Sequence, residues 1–184
     1  FIFWNIRGFG HTGRRTQLRE FIRNEEIDVV GLQETIKADF NHRDLLAVDP
    51  LERFVWHWVP AVGHSGGLLL GVNLVCLEVV ALDAGRFSLS AHVRHRATLQ
   101  EWVVIAVYGP ANHSLSLEFL EELQTKVRAV GVSNLPLLVG GDFNLIRSGA
   151  DKKNGNVDWA RVSLFNNAIA AVTLREIART GARF

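Results

Sequence analysis

The chain has 184 residues, 48% of them hydrophobic, which suits one ordered domain with a sizeable core (1–184) rather than two domains or a disordered chain. Its 20 basic and 19 acidic residues leave a formal charge of +1, so bulk charge gives no signal for nucleic acid, although a local patch can steer it. One cysteine, Cys76, excludes an internal disulfide and a cysteine-based zinc site, and reads as a buried thiol in a reducing compartment.

No run approaches the ~18 apolar residues that span a membrane, and the opening residues lack a signal-peptide pattern. Phe1 already stands in a strand-like pattern, so the chain is expected to be a fragment or a truncated gene product. Phe1–Trp4 reads as a strand with Asn5 at its end, followed by a loop, Ile6–Gly13, that carries Arg7. Leu18, Phe21 and Ile22 recur at helical spacing among charges and predict an amphipathic helix over Arg14–Asn24. Ile27–Leu32 returns to strand and ends in Gln33-Glu34-Thr35, the opening of a layered α/β fold.

A short helix is expected within Ala38–Leu51, before Pro50, and a strand over Phe54–Val59. Gly63–Gly67 reads as a turn. Leu68–Val72, Leu74–Leu82, Phe87–Val93 and Leu99–Val107 predict an antiparallel meander of four strands, with a turn at Asp83-Ala84-Gly85. Tyr108-Gly109-Pro110 ends the last of them. Leu117, Leu120, Leu123, Val127 and Val130 predict a helix capped by Ser114 or Ser116 and stopped by Gly131. Leu135–Val139 is a short apolar strand that Gly140 and Gly141 break, just before Asp142 and Asn144. A polar loop, Ser148–Asn156, and a helix over Trp159–Leu174 complete the pattern.

Four strand ends therefore deliver polar groups: Asn5, Glu34, Tyr108, and the pair Asp142 and Asn144. Each alone suits a turn, a cap or a core rim. Together they suit a cleft, because loops at one end of an α/β sheet assemble sites from distant sequence. If strand geometry persisted to Asn144, its amide and the Asp142 carboxylate would share one face. Carboxylate and amide oxygens favour a hard cation such as Mg²⁺, and phosphodiester hydrolysis uses such a cation to offset developing charge. A group that moves the water's proton is not visible in the pattern. The seven histidines are scattered and read as non-ligands, and His92 and His95 fall on opposite faces of a regular strand. Neither a phosphate-binding loop followed by lysine nor a G-x-S-x-G element occurs. Arg7, Arg14, Arg15, Lys37, Arg147, Lys152 and Lys153 lie near these residues in sequence. Arg7 and Arg147 are the best candidates for phosphate or DNA contact.

Trp4-Asn5-Ile6-Arg7-Gly8, Leu32-Gln33-Glu34-Thr35, Val107-Tyr108-Gly109-Pro110 and Gly141-Asp142-Phe143-Asn144 occur in an order that resembles the endonuclease/exonuclease/phosphatase superfamily. More narrowly, with Leu145-Ile146-Arg147, the Lys152–Asn156 loop and Arg161…Leu164-Phe165-Asn166, the chain resembles the endonuclease domain of plant non-LTR (LINE-type) retrotransposon polyproteins. The resemblance implies a four-layer α/β sandwich of two mixed sheets flanked by helices, and divalent-metal-dependent cleavage of DNA phosphodiesters. It gives Glu34 and Asn5 to Mg²⁺, with Mn²⁺ as an alternative, and places Tyr108 near the scissile phosphate. Asp142 would act on the attacking water or leaving group, and Asn144 would bind a phosphate oxygen. Gly66 and Gly67 resemble the family's glycine pair opening a core strand.

The family pattern closes with a serine-aspartate-histidine motif on its last strands, and no such triplet occurs in the 184 residues. The resemblance thus implies weak or absent turnover and a sheet edge left exposed for self-association. It also implies an original fusion to a reverse transcriptase and an intracellular, nuclear location for action on DNA. A degenerate nucleic-acid-binding module, a retroelement remnant without function, and a phosphatase of the same superfamily are the alternatives.

Overall fold

The computed structural model describes residues 1–63, 65–152 and 156–177. In chain order these form β1 (Ile2–Asn5), α1 (Thr12–Asn24), β2 (Val29–Gln33), α2 (His42–Leu46), β3 (Phe54–Val62), β4 (Ser65–Asn73), β5 (Leu77–Ala84), β6 (Ser88–His95), β7 (Glu101–Tyr108), α3 (Ser116–Ser133), β8 (Leu137–Asp142) and α4 (Trp159–Ala170). One sheet runs β1-β2-β4-β3 and the other β5-β6-β7-β8. The β1/β2 and β7/β8 pairs are parallel and the remaining neighbours antiparallel, so both sheets are mixed.

Period-two alternation sorts each strand between two cores. Val103, Ile105 and Val107 of β7 pack with Phe119 and Leu123 of α3 and Phe165 and Ile169 of α4. Their neighbours Val104 and Ala106 turn the other way, onto Leu68, Leu70 and Val72 of β4. Val30 and Leu32 of β2 meet Leu18 and Ile22 of α1 on the far side. The result is a four-layer α/β sandwich: helices, sheet, sheet, helices.

Several local expectations change under this packing. The four-strand meander divides: β4 pairs with β2 and β3, and Leu74–Cys76 carries the chain to the second sheet, where only β5, β6 and β7 form a meander. Gly66 and Gly67 belong to β4, not to a turn, and His64 lies outside the described residues. Asp83 and Ala84 stay in β5, so the turn falls after them. Helix α3 runs through Gly131 and ends at Asn134, whose left-handed backbone (φ 54°) closes it. Neither serine caps it: Leu115 is the N-cap, Asn112 accepts from the Ser114 amide, and the Ser116 hydroxyl is buried without a partner. Helix α4 stops at Ala170, four residues short of Leu174. Cys76 is half-buried, and its thiol bonds the Asp28 carboxylate at 2.8 Å.

The glycines after Val139 do not break the strand. Strand β8 continues through Gly140 and Gly141 to Asp142, pairing with Ala106, Val107 and Tyr108. The Phe3 ring of β1 lies where a Gly140 side chain would go, and the Val107 carbonyl lies where one on Gly141 (φ 139°) would. Gly140 therefore lets the two sheets approach, and Gly141 lets β8 lie close against β7 within one sheet. The parallel pairs finish at the same end of the sandwich, with Asn5 opposite Gln33 and Tyr108 opposite Asp142. A side chain built on Gly66 would sit 3.8 Å from the Tyr108 ring, so that end is shared by both sheets.

Candidate active site

Asn5 ends β1, Glu34 follows β2, Tyr108 ends β7 and Asp142 ends β8. Across 137 positions of sequence, the Asn5 Nδ2 donates to Asp142 Oδ2 at 2.7 Å. The other carboxylate oxygen, Asp142 Oδ1, accepts from the Asn144 backbone N–H at 3.0 Å. Asn144 therefore does not extend the strand. Its backbone is left-handed (φ 48°), and its Nδ2 turns back to the Gly109 carbonyl at 2.7 Å. Gly109 in turn donates its N–H to the Asp142 carbonyl at 2.7 Å, tying the ends of β7 and β8 together. Gly109 has no room for a side chain, because the Phe143 carbonyl occupies that space.

The Glu34 side is held by backbone. Gly8 N–H donates to the Glu34 carbonyl at 2.7 Å, Phe9 to Thr35 at 2.8 Å, Thr35 to Gly67 at 3.2 Å and Ile36 to Gly66 at 3.1 Å. The loop after β1 and the start of β4 thus close around the residues after β2. Glu34 (φ 55°), Ile36 (φ 54°) and Arg7 (φ 49°) are all left-handed, conformations that cost ~1–3 kcal/mol each and gather at functional sites. Arg14 of α1 fastens the first loop by donating to the Ile6 carbonyl at 3.0 Å and to the Arg7 carbonyl. Thr35 and Arg14, both named by the sequence pattern, act as supports through main-chain partners that only the fold sets.

Both carboxylates act on Tyr108. Burial pushes the Tyr108 phenol above its ordinary range, the charges of Glu34 and Asp142 add to this, and the Asn144 amide partly offsets it. Tyr108 is accordingly a protonated hydroxyl at neutral pH, in the field of both acids. Among the described residues, no hydrogen bond reaches the half-buried Glu34 carboxylate, and no group of three or more His, Cys, Asp or Glu side chains is placed to hold a metal. The oxygen donors present are two carboxylates and the Asn5 amide. That set fits Mg²⁺ or Mn²⁺, which is held through one or two carboxylates plus water and phosphate, and does not fit zinc.

Of the basic candidates, Arg7 is exposed and its backbone N–H bonds Asn5 Oδ1 at 3.2 Å. Arg147 is drawn elsewhere: its Nε donates to Asn166 Oδ1 at 2.9 Å and its Nη1 to Glu176 at 3.1 Å. Lys37 pairs with Asp44 at 2.6 Å, and Arg15 stacks over Phe9. Lys153 and the centre of the Lys152–Asn156 loop lie outside the described residues.

The model for the Endonuclease/Exonuclease/phosphatase family matches residues 2–167. The chain belongs to this family. No functionally curated protein matches the sequence. Among solved structures, the fold is similar to the catalytic domain of Xenopus laevis APE2, at a TM-score of 0.65 and 18% identity over 89% of this chain and 65% of that one. It is similar to the human Nocturnin catalytic domain (0.63, 14%, covering 79% and 64%) and to a mannosyl-6-phosphatase of Bacteroides thetaiotaomicron (0.61, 16%, covering 77% and 64%). At such identities the likeness is one of fold, and the chain spans less than two thirds of each of these structures.

Proposed function

We propose that the chain is a divalent-metal-dependent phosphodiesterase by descent, acting on DNA in the manner of a plant LINE-type retroelement endonuclease, and slow in turnover by itself. The meeting of Asn5 and Asp142 at 2.7 Å, from strands at opposite ends of the sequence, carries this reading. Glu34 and Asn5 would hold Mg²⁺, or Mn²⁺, which supplies charge to offset that developing on the phosphate oxygens.

The remaining work falls to the chain's own groups. With Oδ2 engaged by Asn5 and Oδ1 by the Asn144 amide, the Asp142 carboxylate is fixed as an acceptor that orients a water. Tyr108, kept protonated, donates toward a phosphate oxygen. Asn144 binds a second phosphate oxygen by exchanging its Gly109 partner, and Arg7 positions the backbone beyond it. Arg147 reaches phosphate only by leaving Asn166 and Glu176. The sequence holds no Ser-Asp-His triplet, and loss of a well-placed acid/base removes ~10²–10⁴ in rate. DNA is the partner in this reading, with fusion to a reverse transcriptase and a nuclear site of action as its corollaries.

Nicking of supercoiled plasmid by the chain, with Mg²⁺ and with chelator, tests the proposal. Slow nicking is expected, lost on chelation and in Glu34→Ala. Absence of metal-dependent nicking overturns it: salt-dependent DNA binding then marks a degenerate binding module. Phosphate release from monoesters without nicking marks a phosphatase, and non-cooperative unfolding marks a remnant.

A further inference from the structure

A cleft of about 260 Å³ opens beside Tyr108, between the end of the β3–β4 hairpin, the β5–β6 turn and the loop after β7. We infer that it is a nucleobase subsite, which receives the base adjoining the phosphate contacted by Tyr108 and Asn144. This rests on the phosphodiesterase reading and adds to it the place where one base of the DNA is held.

Continuity with the site comes first. Tyr108, Gly66 and Gly67 line the cleft, and the same tyrosine lies in the field of Glu34 and Asp142. Size comes next: the cleft falls below the ~300–1,000 Å³ of pockets that bury a drug-sized ligand, so it admits one ring and not a folded oligonucleotide. The walls decide the chemistry. Val59, Pro60, Val62, Phe87 and Pro110 offer apolar surface, which suits the face of a base and leaves the hydroxyls of a sugar or inositol unsatisfied. No acidic side chain lines it, while Arg86 and Asn112 bring donors. Asn112 uses its Oδ1 on the Ser114 amide (3.1 Å) and hydroxyl (2.9 Å). Among the described hydrogen bonds its Nδ2 is unused, which leaves a donor for the acceptors of a base edge.

The floor is preformed. The Glu122 carboxylate of α3 accepts from the Arg86 N–H at 2.9 Å, the Phe87 N–H at 3.2 Å and the Ser88 hydroxyl, so the β5–β6 turn is strapped to the helix. Arg86 lies 5.1 Å over the Phe87 ring and pairs with Glu118 at 2.7 Å. A ligand entering the cleft therefore finds its walls already ordered.

Calorimetric titration of the 184-residue chain in Mg²⁺ tests the inference, with inorganic phosphate, mannose 6-phosphate, and thymidine 5′- and 3′-monophosphate as probes. The tighter thymidine monophosphate is expected to bind at least tenfold more tightly than phosphate, and mannose 6-phosphate no more tightly than phosphate. Ala111→Leu, at an exposed loop position, fills the cleft and is expected to erase the nucleotide advantage while leaving phosphate binding unchanged. Val62→Asp, on the opposite exposed wall, should do the same. Phosphate binding with no nucleotide advantage, or an advantage that survives both variants, overturns the subsite and leaves the metal-phosphate reading standing. No Mg²⁺-dependent binding of phosphate overturns that reading and the subsite with it.

Discussion

Gly67 shows how one residue holds the geometry around Glu34. Its backbone is left-handed (φ 86°), and the buried Thr35 hydroxyl occupies the place of a side chain, with Ala61 packed beside it. Gly67→Ala should therefore destabilise the fold by ~1–3 kcal/mol, seen as a lowered Tm, and on the reading proposed above would weaken Mg²⁺ binding through displacement of Glu34. An unchanged Tm would show that the β4 backbone can relax. Cys76 offers a pH test remote from the site. Burial, and then the Asp28 hydrogen bond and charge, push its thiol from 9.0 up to about 11. The folded chain thus keeps a proton that the unfolded chain releases, so this contribution is complete below pH ~9 and is lost as pH rises toward ~11. The alkaline fall in Tm should be shallower in Cys76→Ala, and parallel curves would refute the linkage. Sequence alone named Asn5, Glu34, Tyr108, Asp142 and Asn144, because each polar residue interrupts an apolar strand. The reversal at Asn144, the left-handed turns and the commitment of Arg147 to Asn166 and Glu176 were not legible, since they depend on partners distant in sequence.

At the scale of elements, close packing explains what local pattern misreads. Glycine weakens a strand by propensity, yet Gly140 sits in β8 because the Phe3 ring needs its surface. Gly140→Ala should cost ~1–3 kcal/mol by overpacking in thermal or urea denaturation. In a double-mutant cycle, Phe3→Leu should return part of that loss, and strict additivity would deny the contact. Gly131 is the opposite case. It lies inside α3 with nothing within 4 Å of a built side chain, so Gly131→Ala should stabilise the chain by ~0.4–1 kcal/mol, read as a raised Tm. The same contrast bounds what the sequence reveals of the fold. Short apolar runs located the strands of both sheets, but such a run is identical whichever sheet a strand joins. The crossing at Leu74–Cys76, which moves the chain from one sheet to the other, therefore looks like another hairpin.

At the scale of the molecule, both sheets end on the same side. Strand β1 closes one and β8 the other, and Phe3 packed on Gly140 sets those two edges face to face. Every residue of β8 is half-buried, whereas Val103–Val107 of its neighbour β7 are buried. Beside β8 runs a groove of about 650 Å³, lined in part by Phe143, Leu145, Phe165 and Ile169. Among the described residues no strand pairs with the outer side of β8, and an edge flanked by apolar side chains is a template for strand pairing between chains that natural edges suppress with charge. The chain should therefore sediment as a concentration-dependent mixture between about 1 µM and about 100 µM. Leu138→Lys places a charge on the edge strand at a half-buried position and should restore a monomer at some cost in Tm, because Leu138 shares the inward face of its partner Val104. A monomer throughout in the unmodified chain would mean that the twist of β8 already protects its edge. Association relieved by Leu138→Lys would place the contact there, and plasmid nicking is then best measured on this monomeric variant, whose substitution lies four residues before Asp142.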